Sequence, residues 1–239
     1  MSSRKNALTR SEEIKAAAFF GKHVSKEKAL ILFAATSLIL ISPVFLGLRF
    51  RDSIPEIITT GLTDVAGNDD SLPRWAFIYM IPGLFFVLNA ICHVQLYIHQ
   101  CRSKLPPTPV RILGRGTITV LGFFFCVWAV PRVANTKLSG AVLTACITGI
   151  ILICAGGYLY DCKKDAAFSI KFDFTSRSET ARKGTNDLAG ICFMISGLIL
   201  VYSAMLMQEI PAVPVIISVI LLVLPVPLSR VLYGKNIKS

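Results

Sequence analysis

The chain has 239 residues, 54% of them hydrophobic and 16% charged, with a formal net charge of +11. A soluble domain is about a quarter charged, so too little polar surface is present to wrap a soluble core of this size. The basic excess comes with no nucleic-acid recognition motif, which excludes a nucleic-acid-binding role.

Residues 1–29 form a basic leader. Thr9-Arg10-Ser11-Glu12 has the form of a capping box, and Ile14, Ala17, Ala18 and Gly21 follow at helical spacing. That pattern reads as a short amphipathic helix lying on the membrane surface, or else as a solvated tail.

Six apolar windows follow: Leu30–Leu48, Trp75–Ile98, Gly116–Pro131, Leu138–Tyr160, Leu188–Gln208 and Ile210–Ser229. A helix needs about 20 apolar residues to cross roughly 30 Å of hydrocarbon. In lipid every backbone polar group must be satisfied internally, so each window is expected to be a helix. The third is short, and Arg115 is placed to snorkel at its end. The first is too long for a cleaved signal peptide and reads as a retained anchor. The expected fold is an all-α membrane protein, a polytopic bundle of six transmembrane helices. It divides into the leader, an N-terminal membrane unit over 30–111 (spans 1 and 2, external loop 49–74, cytoplasmic turn 99–111) and a second unit over 112–239 (spans 3 to 6, cytoplasmic loop 161–187). Pro43, Pro82, Pro225 and Pro227 are expected to kink or end their helices.

Lys and Arg set the orientation. Twenty of the 25 fall on the side shared by the two termini and the second and fourth connections. The other side holds only Arg49, Arg51, Arg74, Arg132 and Lys137. Both termini are therefore expected in the cytoplasm of a plasma membrane. The polar segment "IPEIITTGLTDVAGNDDSLPRWAFIYMIP", residues 54–82, then faces outward and carries Asp64, Asp69 and Asp70.

Pro106, Pro107 and Pro109 make the second connection a stiff turn. In the fourth connection "FSIKFDFT" alternates, with Phe168, Ile170, Phe172 and Phe174 on one side. Period two marks an extended segment with one apolar face, which pairs with a partner or packs on the bundle's own cytoplasmic end. Cys146, Cys154 and Cys162 recur every eight residues, and the seven cysteines read as small packing residues rather than a disulfide or metal framework. Small residues mark close helix approach: Ala145 and Gly149, then Ala155 to Gly157, and Gly190, Ser196 and Gly197 on the fifth span.

No window holds Asp, Glu, Lys or Arg in its interior, which argues against an ion-coupled transporter. The polar pair is Asn89 and His93, one turn apart on the second span, either a titrating relay or a structural hydrogen-bonding pair. No hydrolase, zinc-protease or nucleotide-binding motif is present, so no enzymatic activity, cofactor or metal is expected. The three aspartates read as a solvated turn rather than a cation site.

Two stretches resemble the SdpI-like immunity proteins of bacteria and the small membrane domain that commonly precedes them. Ile54-Pro55-Glu56, Gly67, Asp69 or Asp70, and Arg74-Trp75 follow the loop motif, and Pro82 the proline of the next span. "GGYLYDCKKD" (156–165) and "SRSETARKGTNDLAG" (176–190) follow the second motif, with Ser178, Glu179, Lys183, Thr185 and Gly190 in place. Thr60-Gly61, Ala181 and Asn186 stand where that family has His, Trp and His. The resemblance implies a non-enzymatic protein of the bacterial plasma membrane that gives immunity to, or senses, an external antimicrobial peptide or envelope stress. It implies partner contacts at Pro55, Asp64, Asp69, Asp70, Arg74 and Trp75 outside, and at Phe168, Phe172 and Lys183 toward a cytoplasmic regulator, a membrane partner or the lipid bilayer itself. The alternatives are a small permease or transporter accessory subunit, whose path Asn89 and His93 would line, and a membrane scaffold.

Overall fold

The computed structural model describes residues 26–63, 69–101, 116–160, 170, 178–207 and 210–233. The first window folds as α1 (Lys26–Arg49). A short hairpin follows, of β1 (Ile57–Thr63) and β2 (Asp69–Pro73), and a π-helical turn over Ala76–Met80 leads into α2 (Ile81–Cys101). Then come α3 (Ile118–Val133), α4 (Gly140–Leu159), α5 (Glu179–Leu206), α6 (Ala212–Val223) and α7 (Pro225–Tyr233). The last two form one span interrupted at Leu224, beside Pro225.

Five stretches are long and apolar enough to cross a membrane: Ala29–Arg49, Ala76–Ile98, Gly140–Leu159, Glu179–Leu206 and Ala212–Tyr233. With 16 residues, α3 reaches only about 24 Å and is the short span of the set. The fold is the expected polytopic bundle of six membrane helices, with the hairpin added at one end.

The two central helices are α1, which packs on α2, α3 and α5, and α5, which packs on α1, α4, α6 and α7. Pro43 sits inside α1 and has no N–H for the Ile39 carbonyl. Ser42 Oγ donates to that carbonyl instead, at 2.8 Å. One residue earlier, the Leu38 carbonyl accepts from Tyr202 Oη of α5 at 3.0 Å. The helix thus keeps its buried proline because neighbouring hydroxyls satisfy what the ring frees.

The tightest interface joins α4 and α5, and it is built from glycine. A Cβ on Gly156 would lie 2.5 Å from the Gly190 carbonyl oxygen, and a Cβ on Gly190 would lie 2.7 Å from that of Gly156. Nothing larger than hydrogen fits, which lets the two backbones touch. The small residues expected to mark close approach do so here. Across α5 and α6, Ser196 Oγ donates to the Ser218 carbonyl (3.2 Å) and Ser218 Oγ to the Ser196 carbonyl (3.3 Å).

Several boundaries differ from the sequence expectation. The fifth helix starts at Glu179 rather than Leu188, so the fourth connection is shorter than 161–187. Ser178 caps it by accepting from Ala181 N–H at 3.3 Å, and residues 179–187 bury Ala181, Arg182, Thr185 and Asn186 against the bundle. Residues 57–63 and 69–73 of the first connection form a hairpin, in which Ile57 faces Pro73, Ile58 faces Leu72 and Thr59 faces Ser71, with a bulge before the Thr63–Asp69 pair. Five of the seven β1 residues are β-branched, which favours a strand even where no alternating apolar face exists. Cys146 is buried and Cys154 exposed, because eight residues overshoot two full turns by roughly 80°. The leader over 1–25, Asp64, Phe168, Phe172 and the prolines of the second connection lie outside the described residues.

Candidate functional site

Two groups of polar residues stand out, one at the hairpin end of the bundle and one inside it.

At the hairpin end, Arg74 joins the hairpin to α2. Its backbone N–H donates to the Glu56 carbonyl at 2.8 Å, and its Nε donates to the Pro55 carbonyl at 3.4 Å. These bonds close the base of the hairpin and fix the arginine. Beside it opens a cleft of about 330 Å³ lined by Arg51, Glu56, Arg74, Trp75, Ile78 and Tyr79. Ile78 is buried and supplies an apolar floor, whereas Trp75 (60% exposed) and Tyr79 stand on the rim. Both tryptophans of the chain lie at this end. Trp128 on α3 is exposed, with the Arg132 guanidinium 5.4 Å from its ring centroid. Exposed Trp and Tyr beside Arg are the side chains that settle at a lipid–water boundary. Arg49 closes this end from the side, donating to the Met207 carbonyl at 2.6 Å while its guanidinium lies 4.7 Å from the Phe50 ring centroid.

Arg74 and Trp75 therefore line one cleft, and Pro55 is joined to it through its carbonyl, which accepts from Arg74. Asp69 and Asp70 are separate from it along the chain, in β2. The sequence reading named Glu56 only as part of the loop motif and did not single out Arg51 or Tyr79 as site residues. Arg51 and Tyr79 follow and precede apolar runs, where single polar residues are ordinary, and only the hairpin's closure brings them to Arg74.

Inside the bundle, Asn89 is fully buried. Its Nδ2 donates to Thr36 Oγ1 of α1 at 3.0 Å, and its Oδ1 accepts from Thr119 Oγ1 of α3 at 3.4 Å. His93 Nε2 lies 3.4 Å from the same Thr36 oxygen, and its ring meets Phe33 edge-on at 5.4 Å between centroids. Thr36 has a single hydroxyl proton, shared between the Leu32 (2.9 Å) and Phe33 (3.0 Å) carbonyls. Toward Asn89 and His93 it can only accept. A hydrogen on His93 Nε2 would suit this acceptor, and the cluster links α1, α2 and α3 through their side chains. Sequence alone offered Asn89 and His93; Thr36 and Thr119 were hidden because threonine is common in membrane helices.

At the opposite end, Asn186 Oδ1 accepts from the Ile170 N–H at 2.8 Å, and Asn186 Nδ2 donates to the Arg182 carbonyl at 3.1 Å. Ile170 is thereby tied to the bundle's own end. Thr185 is buried and donates to the Ala181 carbonyl at 2.8 Å, and Lys183 is exposed on the same turn of helix. Of the residues carrying the second motif, Ser178 caps α5, Thr185 packs and Gly190 meets Gly156. Each has a structural task. Among the described residues no group of three His, Cys, Asp or Glu could hold a metal ion.

These features define a multi-pass helical membrane protein with a structured hairpin at one end. The chain matches no protein-family profile, no curated protein and no solved structure.

Proposed function

We propose that the chain is a non-enzymatic recognition protein of a bacterial plasma membrane, of the SdpI-like immunity or sensing type, whose receptor element is the hairpin. The observation that carries this reading is the hairpin itself: two strands, β1 and β2, pair only with each other among the described residues. Each strand thus keeps one outer edge of unpaired N–H and C=O groups, and an extended peptide adds to such an edge as a further strand. Glu56, Asp64, Asp69 and Asp70 give the segment an acidic balance, which suits a cationic, membrane-seeking peptide. The distribution of Lys and Arg supports this end lying outside and both termini in the cytoplasm. The connection around Ile170 and exposed Lys183 then face a cytoplasmic regulator.

The test is protection. A sensitive bacterium expressing the chain is challenged with a panel of secreted cationic peptides, beside a variant in which residues 57–73 are replaced by a flexible Gly-Ser linker. Survival is expected to rise with the intact chain and to fall back with the linker variant. Equal survival with and without the protein across the panel sinks the reading. The permease alternative draws no support from Asn89 and His93, whose hydrogen bonds point into packed helices rather than along a path.

A further inference from the structure

The cleft beneath the hairpin has a chemistry the hairpin's edges do not share. Arg51 and Arg74 both line it, and neither forms an ion pair with Glu56 or with any other described residue. Arg74 is held by its Nε and its backbone, so its two terminal nitrogens remain for an occupant. Arginine presents a planar fork that matches phosphate oxygens. Glu56 on the same wall accepts from a cation. Trp75 and Tyr79 offer ring faces that attract an ammonium and apolar edges that tolerate an acyl chain. Ile78 makes the floor apolar, and Ala76–Ile98 carries that floor directly into a membrane span. An occupant must therefore present a phosphate, a nearby ammonium and a hydrocarbon portion running into the bilayer. A volume of about 330 Å³ lies at the small end of ligand pockets.

We infer that this cleft binds the headgroup of an amine-bearing phospholipid of the phosphatidylethanolamine type. Arg51 and Arg74 take the phosphate, Glu56 takes the ammonium, and Trp75 and Tyr79 flank the glycerol. The site is distinct from the strand edges proposed for peptide recognition, and it fixes the base of the hairpin to the lipid surface.

The experiment uses the full-length protein in mild detergent, offered equal amounts of dioleoyl phosphatidylethanolamine, phosphatidylglycerol and phosphatidylcholine and read by native mass spectrometry. The ethanolamine lipid is expected to be retained in preference to the other two. Arg51→Gln with Arg74→Gln should lower its retention roughly tenfold or more, as losing charge-assisted bonds does. Glu56→Gln should abolish the preference over phosphatidylglycerol while leaving phosphate-dependent retention. A second readout uses Trp128→Phe, which leaves Trp75 as the sole tryptophan; lipid with brominated tails should quench it, and the arginine double variant should relieve the quenching. Equal retention of all three lipids, unchanged retention in the double variant, or displacement of the lipid by inorganic phosphate alone would overturn the assignment, the last outcome pointing to a free-anion site. Loss of lipid preference with intact peptide protection separates this site from the hairpin edges.

Discussion

The carbonyl oxygen of Gly149 occupies the space that a Cβ on Gly197 would need, and the Gly197 carbonyl oxygen lies 2.7 Å from where a Cβ on Gly149 would sit. One heptad later in α4 and one heptad earlier in α5, Gly156 and Gly190 repeat the relationship. Helices α4 and α5 are therefore clamped at two levels where backbone meets backbone, with the Val201, Ile153 and Met194 side chains packed beside the contact.

A methyl group at either level must force the helices apart. Gly197→Ala should destabilise the protein by about 1–3 kcal/mol, the usual cost of overpacking a filled core. Gly83→Ala is the control: it also lies in a helix, but a Cβ there meets nothing within 4 Å. Thermal unfolding in detergent should show a lowered midpoint for the first and an unchanged or raised one for the second. Equal midpoints would mean the clamp is slack.

The Thr36–Asn89–Thr119 chain yields an ordering. Asn89 reaches two other helices, whereas His93 reaches one. Interhelical hydrogen bonds in membranes contribute about 0.6 kcal/mol on average and up to roughly 2. Asn89→Ala should thus cost more than His93→Ala, and Thr119→Val should fall between them or below. Urea or SDS titration of the four proteins measures this; a larger loss for His93→Ala would give the histidine a task beyond holding helices.

Ser196 and Ser218 exchange hydroxyl-to-carbonyl bonds across α5 and α6. Each bond uses a different hydroxyl, yet both need the same helix separation. Ser196→Ala and Ser218→Ala should each cost about 0.6 kcal/mol, and the double change should cost less than the sum, because the first loss already loosens the second bond. A double-mutant cycle reads the coupling directly; strict additivity would show that the seam is held by its apolar contacts alone.

Orientation can be read chemically. Ser71 is exposed on the hairpin and Lys183 is exposed at the far end. In a background freed of native cysteines, Ser71→Cys in intact cells should react with a membrane-impermeant maleimide, and Lys183→Cys only after the cells are opened. The reverse pattern would place both termini outside.

The membrane helices were legible because each spends nearly twenty residues without a charge, and lipid leaves the backbone no other arrangement. The glycines were legible as places of close approach, but not their partners: nothing in "GG" at 156–157 says that Gly190 is what it meets. The first turns of α5 were not legible, since Glu179, Arg182 and Lys183 drop the hydropathy to that of a loop while Ser178 and tertiary burial make the segment a helix. The hairpin escaped for the opposite reason. Only Ile58 and Leu72 of the pair turn partly onto the core, too short a stretch to show alternation, so only the β-branched run of β1 hinted at it. The candidate cleft was half visible: Arg74 and Trp75 are adjacent in sequence, but Arg51 and Glu56 join them only once β1 and β2 close.

The last span is attached differently from the others. Of α6 only Pro214 and Ser218 are buried, and its main contacts among the described residues are with α5 and its own continuation, α7. Most of its surface is Val and Ile turned away from the bundle. A helix held by so narrow a seam is expected to part from the bundle at a fraction of the cost of global unfolding. The serine bonds, buried between α5 and α6, are then what decides how readily the C-terminal span leaves the glycine-clamped centre.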